Sequence, residues 1–164
     1  MYTWGHVGAA LFCYAPAGAA LTYHGEPALA LVGAGVAIAF ATFPDADELD
    51  VVPLEHRGTT HTIWFVAVCS LLLAAVGWAV GSLLGLSPGL LAATVGGAGA
   101  ISLTSHLLAD SITPMGIRPF YPLSMWHHSF GVTPAKNPRA NTTMLAVGVL
   151  FALACQAVVV IVAG

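Results

Sequence analysis

Residues 88–110 read PGLLAATVGGAGAISLTSHLLAD, a long run of apolar and small residues that closes on His106 and Asp110. An apolar run of about 20 residues is what a helix needs to cross a hydrocarbon core. This stretch therefore predicts a membrane helix. Positions i and i+4 share one helix face, so the imidazole and the carboxylate point the same way. Ionisable side chains at membrane depth are costly and mark functional positions. One stretch thus sets the fold class and supplies the first site candidates.

The rest of the chain agrees with it. Of 164 residues, 58% are hydrophobic and 7% charged, against about 25% charged in a soluble domain. Apolar stretches over 7–23, 27–43, 62–81, 88–108 and 143–163 predict an all-α, polytopic transmembrane bundle of about five spans. Its length suits a single integral membrane domain over residues 1–164. Pro27 and Pro88 fall at first turns, where a missing N–H costs nothing. Gly33, Gly35, Gly96, Gly97 and Gly99 are expected to let helices pack closely. Cys13, Cys69 and Cys155 are far apart and form no Cys-x-x-Cys pair, so they read as small buried hydrophobes. No Lys or Arg precedes the first apolar run, so no cleaved signal is expected. A net charge of -3 gives no reason to expect a nucleic-acid partner.

Counting crossings sorts the polar residues. With His6 on one face, the second span returns to it at Pro44-Asp45-Ala46-Asp47. His56, Arg57 and His61 precede the third span there, and the fourth comes back at His106 and Asp110. Arg57, Arg118, Lys136 and Arg139 are all the Lys and Arg the chain has, and all lie on that side. Cationic loops stay in the cytoplasm, which predicts a cytoplasm-facing cluster and an outside C-terminus in the cell (inner) membrane.

Imidazole and carboxylate without sulfur is the donor set of zinc, manganese and non-haem iron. Asp45 and Asp47 flank one residue in a turn, Gly58 lets the backbone bend between His56 and His61, and His106 with Asp110 adds a helical pair. With His6, these are enough for about two or three divalent ions, Zn²⁺ first and Mn²⁺ or Fe²⁺ as alternatives. Such ions lower the pKa of a water and clamp the oxygens of a phosphoryl displacement. Arg57 suits a phosphate through its planar fork of donors, and Asp47 or Asp110 suits orienting or deprotonating the water. Structural alternatives stand beside each: His6 as an interfacial anchor, Asp45 as a turn cap, Asp47 as a solvated charge, His56 or His61 bonded to loop carbonyls, and His106–Asp110 as an interhelical hydrogen bond. Glu48, Asp50 and Glu55 read as a hydrated loop surface, and His127 and His128 as interfacial residues.

The blocks Pro44-Asp45-Ala46-Asp47, His56-Arg57-Gly58-Thr59-Thr60-His61-Thr62 and Ser105-His106-Leu107-Leu108-Ala109-Asp110-Ser111-Ile112-Thr113-Pro114-Met115-Gly116-Ile117 resemble the YdjM-type family of inner-membrane, metal-dependent hydrolases. Gly5-His6 and Tyr121-Pro122-Leu123 extend the resemblance over residues 5–123. The family is distantly similar to the all-helical zinc phospholipase C and P1 nuclease group. That kinship implies the ligand set His6, Asp45, Asp47, His56, His61, His106 and Asp110 and cleavage of phosphodiesters. This chain departs in Thr62, where serine is common, and in a short loop between Asp47 and His56.

The expected activity is hydrolysis of a phosphoester in a lipid or lipid-linked substrate. Membrane lipids are the expected partners, and the interfacial loop over 111–141 receives a headgroup. A non-catalytic scaffold would tolerate His106→Asn and Asp110→Asn apart from stability. A metal or proton transporter would carry polar residues at mid-span and on the opposite face.

Overall fold

The fold is described from a computed structural model, for residues 1–48 and 57–163. Its helices are α1 (Thr3–Tyr23), α2 (Pro27–Phe40), α3 (Ile63–Leu84), α4 (Pro88–Ser111) and α5 (Pro138–Ala163), with 3-10 turns at Phe43–Glu48 and Thr59–His61. Among the described residues, four stretches are long and apolar enough to cross a membrane: Pro27–Asp47, Ile63–Leu84, Pro88–Ser111 and Pro138–Ala163. α1 has 21 residues and is the less apolar fifth helix beside them.

Local chemistry sets the boundaries. Pro27 and Pro88 open α2 and α4, as expected. Thr62 is extended and caps α3 by accepting the Phe65 N–H at 3.2 Å. Gly85, at φ 68°, closes α3 in the left-handed region, which glycine enters without a Cβ penalty. α5 starts at Pro138, five residues ahead of the expected 143. The signal is Asn137, whose side-chain oxygen accepts from the N–H groups of Arg139 (3.1 Å) and Ala140 (3.3 Å). An Asn cap followed by proline is a strong helix start, here hidden inside a polar run.

α4 packs against α1, α2 and α3, while α1 packs against α2, α4 and α5. At the α1–α5 contact, a Cβ on Gly8 would overlap the backbone at Met144 and Leu145, and one on Gly148 would overlap Gly8 itself. Only hydrogen at both positions allows this approach. Ser102 Oγ donates to the Ala37 carbonyl at 2.6 Å, tying α4 to α2, and Tyr14 Oη donates to the Ala30 carbonyl at 3.0 Å, tying α1 to α2. Gly33, Gly96 and Gly99 sit against neighbouring side chains as expected, whereas Gly35 and Gly97 have nothing within 4 Å of a built Cβ. They lie on other helix faces. The cysteines also differ from expectation. Cys13 is exposed, and Cys69 and Cys155 are half-buried. Outward-facing apolar residues in a spanning helix meet lipid, so low polarity does not require burial.

Candidate metal centre

Four chain segments bring their polar residues to one end of the bundle. His6 comes from the first turns of α1, Asp45 and Asp47 from the turn after α2, His61 from the turn before α3, and His106 and Asp110 from the end of α4. His6, His61, His106 and Asp110 side chains are fully buried, and the Asp45 side chain is 24% exposed.

Two imidazoles are oriented from behind. The His106 Nδ1 lies 2.8 Å from the Ala41 carbonyl. A carbonyl only accepts, so Nδ1 carries the proton and Nε2 offers its lone pair. His61 Nδ1 lies 3.0 Å from Thr60 Oγ1, whose own proton goes to Asp47 Oδ2 at 2.7 Å. The Thr60 oxygen therefore accepts from His61 Nδ1, and Nε2 again offers its lone pair. Asp47 Oδ2 also lies 3.4 Å from His61 Nδ1 and accepts the Arg57 main-chain N–H at 3.0 Å.

The two Nε2 atoms face each other at 3.1 Å, with a carboxylate on either side. Asp45 Oδ1 lies 3.4 Å from His61 Nε2 and 3.3 Å from His106 Nε2. Asp110 Oδ2 lies 3.3 and 3.5 Å from the same atoms. A tetrahedral zinc with arms of about 2.0–2.1 Å has ligand–ligand edges about 1.63 times as long, near 3.3–3.4 Å. Five of the six edges are on hand, and all five fall within 0.2–0.3 Å of that length by subtraction from the distances above. Asp110 Oδ2 is buried and makes no hydrogen bond. Lone pairs converging at this range repel unless a cation or a shared proton lies between them, so the donor set fits a divalent ion. His6, Asp45, His106 and Asp110 also form a group whose ligand atoms all lie within 4.8 Å of one another.

The other oxygen of Asp110 is held elsewhere. Oδ1 accepts from Arg57 Nη2 at 2.9 Å and from the Met1 amine. Arg57 is further fixed by Nη1, which donates to Thr113 Oγ1 at 3.0 Å and the Gly116 carbonyl at 2.9 Å. The guanidinium is thus directed at Asp110 and the loop rather than at open space. The left-handed residue in this stretch is Arg57, at φ 58°, one position before Gly58, where the bend was expected. His6 stacks on His106 with ring centroids 3.8 Å apart. Its Nε2 lies 2.7 Å from the Met1 carbonyl and 3.5 Å from Asp110 Oδ1.

Burial works against a charged His61 imidazole, but its contacts with the Asp110 and Asp45 carboxylates outweigh burial and raise its pKa above the ordinary value. The pocket favours positive charge at this point. A cleft of about 430 Å³, lined by Met1, Tyr2, Thr3, Thr42, Phe43 and Asp45 among others, reaches the centre on its Asp45 side.

Of the expected ligands, the structure brings His6, Asp45, His61, His106 and Asp110 together. Asp47 sits behind His61, and His56 lies outside the described residues, as do Asp50 and Glu55. His127 is bonded to the Met115 carbonyl at 2.7 Å and His128 stacks on Trp126, and neither belongs to the group of converging ligand atoms. Sequence reading missed Thr60, Thr113 and the Ala41 carbonyl. The two threonines stand inside the quoted motifs, but nothing in one sequence says which hydroxyl turns inward.

The family described as YdjM inner membrane protein matches residues 1–164, the whole chain. No curated protein and no solved structure matches it.

Proposed function

We propose, for a chain that belongs to the YdjM inner membrane protein family, a metal-dependent hydrolase that cleaves a phosphoester of a lipid or lipid-linked substrate. The protein is a multi-pass membrane protein with a His/Asp cluster suited to a metal ion. The observation that carries the reading is the set of four converging atoms, His61 Nε2, His106 Nε2, Asp45 Oδ1 and Asp110 Oδ2, each imidazole fixed from behind. These residues would hold one divalent ion, with the buried His61, His106 and Asp110 as its fixed ligands and Asp45, open to the cleft, at the position that a water or substrate takes in a catalytic site.

A bound ion would supply Lewis acidity toward an ester oxygen and lower the pKa of a water. The protein's own groups do the rest. Ala41 and Thr60 hold the two imidazoles in the tautomer that presents Nε2. Arg57 holds Asp110 by one oxygen, so the other stays turned inward. Asp45, half open to the cleft, is placed to meet an incoming water or substrate. Asp47 acts through Thr60 and His61 as a positioning residue. Burial of the remaining groups keeps bulk water away from the centre, which strengthens every charge interaction there. Position at the membrane face supports a substrate whose acyl chains stay in the bilayer. The distribution of Lys and Arg supports a cytoplasm-facing site and an outside C-terminus.

The test is elemental mass spectrometry of detergent-purified protein, followed by release assays on mixed phospholipids and a generic phosphodiester. One transition-metal equivalent per chain and activity lost in Asp110→Asn are expected. Protein that cannot be loaded with Zn²⁺, Mn²⁺ or Fe²⁺, or loaded protein that releases nothing, would sink the reading.

A further inference from the structure

Among the described residues, the segment between α4 and α5 reaches the metal centre through Thr113 and Gly116, which hold Arg57. Its backbone is folded inward. Ile117 and His128 exchange N–H···O bonds at 2.9 and 3.0 Å, Phe130 donates to the Ser111 carbonyl, Val132 to that of Ile112, and Ile63 of α3 donates to Pro119. Lipid offers no partners for a main chain, and these groups have theirs within the protein. Most of its outward side chains are apolar, with the exposed His127 the polar exception: Leu123 is 78% exposed, Met125 65%, Trp126 52%, Phe130 63% and Val132 73%. Contiguous apolar surface on a segment outside the spans marks an interaction site.

Two observations identify what covers it. A groove of about 470 Å³ is lined on one side by Trp64, Phe65 and Val68 of α3 and on the other by Tyr121, Pro122 and Leu123. The apolar surface of the loop is therefore continuous with the lipid-facing surface of a spanning helix. Lys136 in the segment and Arg139 just after it, both exposed, add cationic charge at the end of the bundle where the segment lies. That is the pairing that suits an anionic headgroup layer over acyl chains.

We propose that residues 120–132 lie in the plane of the leaflet at the metal-centre end, with Leu123, Met125 and Trp126 inserted at the headgroup–acyl boundary and the groove beside Trp64 filled by an acyl chain. The proposal stands apart from the hydrolase reading and needs only that α3 spans the bilayer.

It is tested in full-length protein reconstituted into phosphatidylethanolamine–phosphatidylglycerol vesicles. One variant carries a spin label at Leu123→Cys with Cys13, Cys69 and Cys155 changed to Ala. A second keeps Trp126 alone, with Trp4, Trp64 and Trp78 changed to Phe. The label is expected to collide more with oxygen than with a water-soluble nickel chelate. Trp126 emission is expected to shift to the blue and to lose most of its intensity in lipids brominated near the carbonyl end of the chain, and less near the methyl end. A label open to the chelate, with Trp126 unaffected by brominated lipid, overturns the proposal. So does a label shielded from both reagents, which would assign the patch to a second copy or another protein. If the single-Trp variant fails to fold, the label decides, because Leu123 is largely exposed and its variant keeps all four tryptophans.

Discussion

α3 and α4 form one hairpin joined by a short turn, yet they are opposite kinds of helix. In the spanning window of α3, 6% of residues are buried inside the protein, against 56% in α4. Mean hydropathy runs the other way, 2.3 for α3 and 1.3 for α4. In a soluble protein the greasier helix is the buried one. Here the solvent is lipid, so the greasier helix faces out. The helix with room for Thr94, Ser102, Ser105, His106 and Asp110 is held among its neighbours. Of the pair, the helix of lower hydropathy is the one that carries the buried polar cluster.

That contrast can be broken by substitution. The largest effect is expected from Asp110→Ala on α4. It removes a candidate ligand and leaves the Arg57 guanidinium without its carboxylate, which costs about 3–5 kcal/mol for a broken buried pair. Metal content and thermal unfolding in detergent should fall together. Asp110→Asn, close in shape, should lose metal with a smaller stability loss.

Thr60→Val comes next. It removes the hydroxyl that lies between His61 Nδ1 and Asp47 Oδ2 while leaving all four converging atoms in place. Loss of such an orienting partner weakens metal binding by about 10–100-fold, readable by chelator competition. Unchanged affinity would mean that Asp47 alone holds the ring. Gly96→Leu follows on the α3–α4 seam. A Cβ there already meets Ala74 Cβ at 2.7 Å, and overpacking costs about 1–3 kcal/mol in an unfolding titration.

Ser102→Ala removes the α4–α2 hydrogen bond and should cost about 0.6 kcal/mol, the average for such bonds between spanning helices. Leu71→Ala on α3 sharpens the contrast from the other side. Leu71 is 71% exposed, so its truncation should change stability by less than about 0.5 kcal/mol. A cost equal to that of Ser102→Ala would mean that α3 is covered by something other than lipid.

How much of this was legible in the sequence depended on which physical rule applied. His106 and Asp110 were legible because helical periodicity puts i and i+4 on one face. Asp45 and His61 were legible because each membrane crossing reverses the chain, so counting spans places their loops at one end. The back-side partners were not legible. Thr60 and Ala41 act through a hydroxyl rotor and a carbonyl, and no residue type encodes where those point. The start of α5 was missed because Pro138 to Thr142 reads as loop by polarity alone, and only the Asn137 cap reveals the helix. The cysteines were misread because burial was inferred from apolarity, a rule that holds in water.

The Gly8–Gly148 contact joins the first helix to the last, and synthesis runs in that order. Every candidate ligand in the described residues lies ahead of α5, so the ribosome has delivered the whole donor set before the partner of Gly8 is made. Until then, the α1 face that carries Gly8 has only lipid to meet. α5 brings no ligand and arrives as a clasp, closing on a helix that entered the membrane long before it. The donor set is therefore complete in the nascent chain before the helix that closes on Gly8 has been made.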